Sequence, residues 1–186
     1  LKKINNGYFK SKGNIENLNF AYKIAKNLKV TDKIIIKALR NFVGLPHRQE
    51  KFFSNKKIVC INDSKATSFD ASLQSLANYN KIYWILGGTP KYGDAFNLTK
   101  VRKKIKKAYI IGKYSNFFKK QIKNTIPYLI SKNMNQALDN IKKDIKKNKN
   151  TKNTILLSPA AASYDQFNNF EDRGNYFKKL IKKKFN

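Results

Sequence analysis

The chain has 186 residues, a formal net charge of +29 and a hydrophobic content of 41%, which is enough for an ordinary globular core. So basic a chain suggests nucleic-acid binding, but only four of its 40 basic residues are arginine, which base-edge and bidentate phosphate contacts favour. The lysines are spread over the whole chain, beside many asparagines and isoleucines. This pattern indicates a composition bias on solvated positions, and we expect no specific nucleic-acid partner.

The cysteine content and the hydropathy pattern bear on the cellular compartment. The single cysteine, Cys60, lies in an apolar run, which predicts a buried core residue and fits a reducing compartment. No apolar run approaches the roughly 20 residues that span a bilayer. No signal peptide opens the chain, so we expect a cytoplasmic protein without a membrane span. The first residue is Leu1 rather than Met, and we expect a piece of a longer protein.

Two amphipathic helices are predicted at the start of the chain. Apolar residues recur at helical spacing over residues 15–28, and Thr31-Asp32 is a plausible cap for a second helix. Gly44-Leu45-Pro46 ends that helix, because a proline disfavours helical geometry at the residue before it. We therefore predict two domains, residues 1–44 and residues 45–186.

After this boundary the pattern changes to strands that alternate with helices. The predicted strands are residues 50–53, 57–61, 81–86, 108–111, 126–130 and 154–157, and the predicted helices are residues 71–78, 101–106, 114–123, 135–146 and 176–184. Strands separated by helices of this length form right-handed crossovers. The sequence therefore predicts a Rossmann-like α/β fold with a doubly wound, mainly parallel sheet.

Polar residues follow several strand ends, where an open α/β sheet binds its ligands. In the run 62–67 (NDSKAT), the Asp63 carboxylate can accept two hydrogen bonds from a ribose diol. Gly87-Gly88 lets a ligand approach the backbone closely and is followed by Lys91, a point charge for a carboxylate. Further along, Ser163 lies among small residues and can donate to an anionic group.

The connection between the two predicted domains carries Arg48 beside His47. Arginine suits phosphate oxygens. His47 is the only histidine, so any serine or cysteine nucleophile would depend on it, and no serine has the surroundings of a nucleophile elbow. The sequence contains no CxxC, HExxH or GxxxxGK[ST] motif. These residues therefore predict neither a zinc site nor a phosphate loop.

Four segments together resemble the Mur ligase family of bacterial cell-wall enzymes, at its D-glutamate-adding branch. They are residues 44–48 (GLPHR), 61–67 (INDSKAT), 86–88 (LGG) with Lys91, and 156–174 (LLSPAAASYDQFNNFEDRG). The resemblance extends from about residue 44 to the end of the chain. It implies the C-terminal, amino-acid-binding domain of a three-domain enzyme. Residues 1–44 would then be the end of the central ATP-binding domain.

The resemblance also implies a role for individual residues. The implied ATP-binding residues are Asn14, Asn17, His47, Arg48, Asp63 and Lys65. The implied D-glutamate-binding residues are Thr67, Lys91, Ser163, Tyr164 and Phe170. Two departures from the family pattern are Gly13, at a position that the family fills with histidine, and Thr89-Pro90 in the Lys91 loop. No catalytic and no metal-binding residue is assigned within this chain.

The implied reaction is ATP-dependent amide formation in peptidoglycan synthesis. The carboxylate of UDP-N-acetylmuramoyl-L-alanine is phosphorylated to an acyl phosphate, which the amine of D-glutamate attacks, and ATP and Mg2+ are the implied cofactors. The phosphate loop and the magnesium ligands would lie outside these residues. We therefore expect the chain alone to be inactive and the complete enzyme to be a monomer.

Two alternatives stay open. The first is another Mur-type or a folylpolyglutamate-type amide ligase, although Lys91 favours an amino acid with an anionic side chain over a diamino acid. The second is a stand-alone basic module that binds nucleic acid or an anionic membrane, suggested by the net charge of +29. Lysine-based binding of that kind falls steeply with salt, so a salt titration separates it from a ligase.

Overall fold

The computed structural model describes residues 5–10, 12–147 and 152–186. The chain forms two compact units, Leu1–Leu45 and Pro46–Asn186. In the first unit, a short 3-10 helix (Gly7–Lys10) precedes helices α1 (Lys12–Asn27) and α2 (Asp32–Asn41). The Asn6 amide donates at 2.8 Å to the carbonyl oxygens of Leu39 and Phe42, which satisfies acceptors at the end of α2. Both predicted helices are present.

In the second unit, the described residues form one sheet of six strands. They are β1 (Glu50–Ser54), β2 (Ile58–Asn62), β3 (Ile82–Leu86), β4 (Ile105–Ile110), β5 (Tyr128–Ile130) and β6 (Asn153–Leu157). The spatial order is β1-β2-β6-β3-β4-β5. The edge strand β1 runs antiparallel to β2, and every other neighbouring pair is parallel. The prediction of a mainly parallel α/β sheet is confirmed.

Helices cover both faces of this sheet. They are α3 (Phe69–Asn78), α4 (Ser115–Ile122), α5 (Met134–Lys147) and α6 (Phe170–Phe185). One buried cluster joins the sheet to α3 and α4, and another joins it to α5 and α6. Alternate residues of β3 serve the two clusters: Trp84 packs on the first face, while Tyr83 and Ile85 pack on the second. A strand covered on both faces has to be apolar throughout, as β3 is.

The buried cysteine lies in the same sheet. Cys60, in β2, has no exposed surface and is a free thiol, as the sequence predicted. Burial raises its pKa, since the thiolate would lose its hydration there.

Two predictions of local structure were wrong. Residues 101–106 do not form a helix: Arg102–Lys104 is one 3-10 turn, and β4 begins at Ile105, which pairs with Ile82 of β3. Backbone pairing with a neighbouring strand therefore outweighs the local helical pattern. The last helix begins at Phe170 rather than at residue 176, because the Asn169 side chain caps it by accepting from the Asp172 amide at 2.7 Å.

Candidate functional site

The loops after β2, β3 and β6 meet at one edge of the sheet because β6 lies between the other two strands. Backbone hydrogen bonds join the loops directly. The Asp63 amide donates to Leu157 O at 2.8 Å, and the Gly87 amide donates to Pro159 O at 2.9 Å. Thr89 then exchanges two bonds, at 2.9 and 3.0 Å, with Ala162. The three polar segments singled out from the sequence are thus joined to one another at this edge of the sheet.

Asp63 lies within this edge rather than on it. Its Oδ1 accepts from the Gln49 amide at 3.1 Å, and its Oδ2 accepts from the Ser75 and Ser158 hydroxyls at 2.6 and 2.8 Å. Burial raises the pKa of Asp63 to about 6, although these three donors act in the opposite direction. The carboxylate therefore ties the β2 loop to α3 and β6, and its expected contact with a ribose stays a prediction.

His47 is buried just after the division between the two units, and the next residue, Arg48, is exposed. The His47 amide donates to Glu50 Oε2, and the His47 carbonyl accepts from the Lys65 amide, both at 3.0 Å. The imidazole Nδ1 lies 3.0 Å from Nδ2 of Asn62. Burial and the Lys178 ammonium lower the pKa of His47. Of these two neighbouring residues, Arg48 therefore carries the positive charge.

Residues expected at different ligands are in contact here. The Lys65 ammonium lies 3.9 Å from the centre of the Phe170 ring, a cation–π contact. The edge of the His47 ring also meets Phe170, with 5.9 Å between ring centres. Thr67 is exposed two positions beyond Lys65. Two residues expected to bind ATP, His47 and Lys65, therefore adjoin Phe170, which is expected to bind D-glutamate.

The remaining D-glutamate candidates lie on the loops after β3 and β6. Ser163 is buried, and its carbonyl accepts from the amides of Gln166 and Phe167 at 3.1 and 2.9 Å. Tyr164, the next residue, is exposed. Lys91 is exposed, and within the described residues no hydrogen bond or ion pair holds its ammonium.

Asn14 and Asn17 belong to α1, in the first unit, whereas the other four ATP candidates belong to the second. The Asn14 side chain donates to Tyr8 O at 2.7 Å, and Asn17 is exposed.

Sequence reasoning missed the role of Arg173. This buried guanidinium donates from Nε to the Ser64 hydroxyl, and from Nη2 to the carbonyls of Ser64 and Ala161, at 2.9–3.0 Å. Burial lowers its pKa to about 10. Its Nη1 is the buried side-chain atom without a partner in the described part of the chain. Helical spacing from Arg173 to the buried Phe177 would have indicated that this arginine faces the core.

No helix among the described residues is long and apolar enough to cross a bilayer. In the same residues, no group of three or more histidine, cysteine, aspartate or glutamate side chains is placed to hold a metal ion.

Comparisons with known proteins identify the class. No protein-family model matches the chain. Among solved structures, MurF from Acinetobacter baumannii and MurC from Thermotoga maritima both have a TM-score of 0.61 at 14% identity. They cover 92% and 93% of this chain, which covers 38% of each. At this identity the likeness concerns the fold alone. Family membership rests instead on the sequence relatives described next, which show that the chain belongs to the Mur ligase family.

Its sequence relatives within that family include several UDP-N-acetylmuramoylalanine–D-glutamate ligases. The chain is 42% identical over 171 residues to the one from Rickettsia felis, a match that covers 91% of this chain and 38% of that relative. It is 37% identical over 164 residues to the one from Rhizobium meliloti, covering 88% of this chain and 35% of that relative. The chain therefore spans well under half the length of these relatives.

Proposed function

We propose that the chain is the C-terminal, amino-acid-binding part of the ATP-dependent ligase that adds D-glutamate to UDP-N-acetylmuramoyl-L-alanine in peptidoglycan synthesis. The observation that carries the proposal is the contact among His47, Lys65 and Phe170 at the strand ends. It brings expected nucleotide and amino-acid residues together in a chain that is 42% identical to a relative named for this activity. Residues 1–44 would be the end of the central ATP-binding domain, and the complete enzyme a cytoplasmic monomer.

The D-glutamate half of the site would hold an anion. Phe170 opens α6, but Glu171 and Asp172 already occupy the first turn, so an anion here would depend on the side chains of the site rather than on the helix dipole. Ser163 and Thr67 supply hydroxyl donors, the backbone of Tyr164 supplies another polar group, and Lys91 supplies a positive charge for a carboxylate. These groups would orient the amino acid so that its amine points at the acyl phosphate.

The ATP half of the site would be divided between this chain and the rest of the enzyme. The exposed Arg48 guanidinium fits phosphate oxygens, and Lys65 lies close by in the next loop. Asp63 would face the ribose, and Asn14 and Asn17 the adenine. When bound, ATP supplies the phosphoryl group. The ligands of Mg2+ would come from the rest of the enzyme, as the family resemblance implies.

In this proposal the chain contributes orientation and electrostatics rather than a proton-transferring residue. Holding two reacting groups in line removes much of the entropic barrier to their reaction. The phosphate loop would come from the rest of the enzyme. We therefore expect no turnover by the chain alone.

The test is a ligase assay on two proteins. One is the chain alone, and the other is the chain joined to the N-terminal portion of the Rickettsia felis relative that it does not match. We expect ATP-dependent joining of D-glutamate to UDP-N-acetylmuramoyl-L-alanine by the second protein only. A folded fusion that joins a different amino acid would contradict the proposal and favour a sister ligase.

A substitution in the fusion tests the amino-acid site itself. Lys91→Ala should raise the KM for D-glutamate about tenfold or more, because a charge-assisted contact is lost. The KM for ATP should stay unchanged. The control is Lys103→Ala, at another exposed lysine. Equal kinetics for the two variants would remove Lys91 from the site.

A further inference from the structure

Asn62 is fully buried at the end of β2, and its neighbours determine which way its amide points. Its Nδ2 lies 3.1 Å from Glu50 Oε2 and 3.4 Å from Gly174 O, both of which can only accept. Its Oδ1 accepts from the Ser64 amide at 3.2 Å. Turning the amide over would place an oxygen against two acceptors and an NH2 group against an N–H. Nδ2 therefore faces Glu50 and α6.

The same Nδ2 lies 3.0 Å from Nδ1 of His47. The amide NH2 group has two hydrogens and three acceptors within reach, of which Nδ1 and Glu50 Oε2 are nearer than Gly174 O. An amide nitrogen is a donor only, so the contact with His47 is a hydrogen bond when Nδ1 accepts. The neutral imidazole then carries its proton on Nε2. A proton on Nδ1 would point at the amide hydrogens of Asn62. The contact therefore disfavours both the other tautomer and the imidazolium.

Charged groups around His47 come from two elements. Lys178 and Glu171 belong to α6, and Glu50 belongs to β1. Burial of the ring and the Lys178 ammonium lower the pKa of His47, whereas the two glutamates raise it, and the net direction is downward. Glu50 is itself paired with Lys178 at 3.1 Å, which limits its effect on the imidazole. The surroundings thus favour the uncharged ring.

Helix α6 approaches this contact closely because residue 174 is a glycine. A Cβ at Gly174 would collide with Nδ1 of His47 and come within 3.0 Å of Nδ2 of Asn62. The opposite ring nitrogen, Nε2, has no hydrogen-bond partner in the described part of the chain. His47 as a whole retains 6% of its surface exposed, and Nε2 is the ring nitrogen that does not face Asn62.

We propose that Asn62 is the positioning residue of His47. It holds the imidazole neutral, with the proton on Nε2, so that the loop before Arg48 presents an uncharged hydrogen-bond donor to an anionic oxygen of the nucleotide. The identity of the acceptor rests on the proposed function, whereas the tautomer does not. Arg48 then supplies the positive charge that faces the nucleotide. His47 supplies a directed hydrogen bond without adding a second positive charge.

The tautomer is measured by NMR on the 15N-labelled chain of 186 residues, in which His47 is the only histidine. Long-range correlations from the ring carbon protons distinguish the two nitrogens. At pH 7 we expect a protonated Nε2 and an unprotonated Nδ1. A proton on Nδ1, or on both nitrogens, would overturn the proposal. This measurement needs no variant and does not depend on ligase activity.

The role of Asn62 is tested with Asn62→Leu, which removes the donor without adding charge. We expect the ring signals to become an average of both tautomers. The control is Asn124→Leu at an exposed position, which should keep the wild-type spectrum. An Asn62→Leu chain that is folded and retains the single Nε2–H form would overturn the role of Asn62.

The nucleotide contact is tested in the active fusion protein. Asn62→Leu should raise the KM for ATP about tenfold, the typical effect of one hydrogen bond, and change the KM for D-glutamate less. If NMR confirms the tautomer but Asn62→Leu leaves the KM for ATP unchanged, the nucleotide does not accept the hydrogen bond from Nε2. An inactive fusion would instead count against the proposed function and leave the NMR result standing.

Discussion

Replacing Asp63 by asparagine should stabilise the second unit at neutral pH. Burial raises the pKa of this carboxyl from 3.8 to about 6. At about 1.4 kcal/mol per pKa unit, ionised Asp63 costs the folded state about 3 kcal/mol at pH 7. The asparagine side chain would have the same shape and no charge, and the Ser75 and Ser158 hydroxyls can turn to accept from its NH2 group.

The sign of the pH dependence follows from the direction of the shift. The folded protein binds the Asp63 proton more tightly than the unfolded chain, so this contribution to stability is complete below pH 3.8 and is lost as the pH rises through about 6. The wild type should therefore lose about 3 kcal/mol from this residue over that window. The Asp63→Asn variant should lose none of it.

The assay is urea unfolding at pH values from 4 to 8, followed by the fluorescence of Trp84, the single tryptophan. Trp84 is buried in β3 and its indole donates to Ser158 O at 2.7 Å, so it reports on the second unit and on the strand-end edge. The control is Asp70→Asn, an exposed aspartate in the first turn of α3, which should destabilise by less than about 1 kcal/mol at every pH. A gap between wild type and Asp63→Asn that does not widen from pH 4 to pH 7 would refute this reasoning.

Three further predictions concern the same edge. Gly174→Ala should destabilise the second unit by about 1–3 kcal/mol, because the new Cβ overpacks the site. Gly7→Ala should have little effect, because no atom lies within 4 Å of its new Cβ. The midpoints of urea unfolding measure both effects. Arg173→Lys should lower the free energy of unfolding by about 3 kcal/mol or more, because one ammonium cannot replace three hydrogen bonds of a buried guanidinium. Arg102→Lys, at an exposed site, should lower it by less than about 0.5 kcal/mol in the same assay. The isolated chain should bind ATP more weakly than micromolar in calorimetry, and a micromolar affinity would contradict the division of the ATP site between this chain and the rest of the enzyme.

Most strands of the sheet could be predicted from the sequence because the parallel strands are covered on both faces. Such strands are continuous apolar runs between polar turns, and β3 and β6 are read directly in this way. Strand β4 was harder, since Lys106 and Lys107 interrupt its apolar run and suggest a helix surface. Its start is determined by pairing with β3, a contact between distant parts of the chain that local periodicity does not contain.

The candidate site shows the same limit. Lys65 and Phe170 were predicted from two motifs, but their contact joins segments that only the fold brings together. Asn62 opens the polar run 62–67 in the sequence, but its amide bonds a helix residue 112 positions further along the chain, which the run does not reveal. The types and order of the residues therefore nominate candidates for the site, and their binding roles stay a prediction. The hydrogen bonds that orient them required the structure.

The single buried cysteine makes the sheet accessible to a kinetic measurement. Cys60 lies in β2, between β1 and β6, and has no exposed surface. A thiol reagent can reach it only when this part of the sheet opens. The labelling rate therefore measures how often β2, the strand that ends at the candidate site, opens. Because the sequence holds no other cysteine, every labelled molecule has opened at this strand. Slower labelling in the presence of a ligand would show that the ligand holds the strand closed.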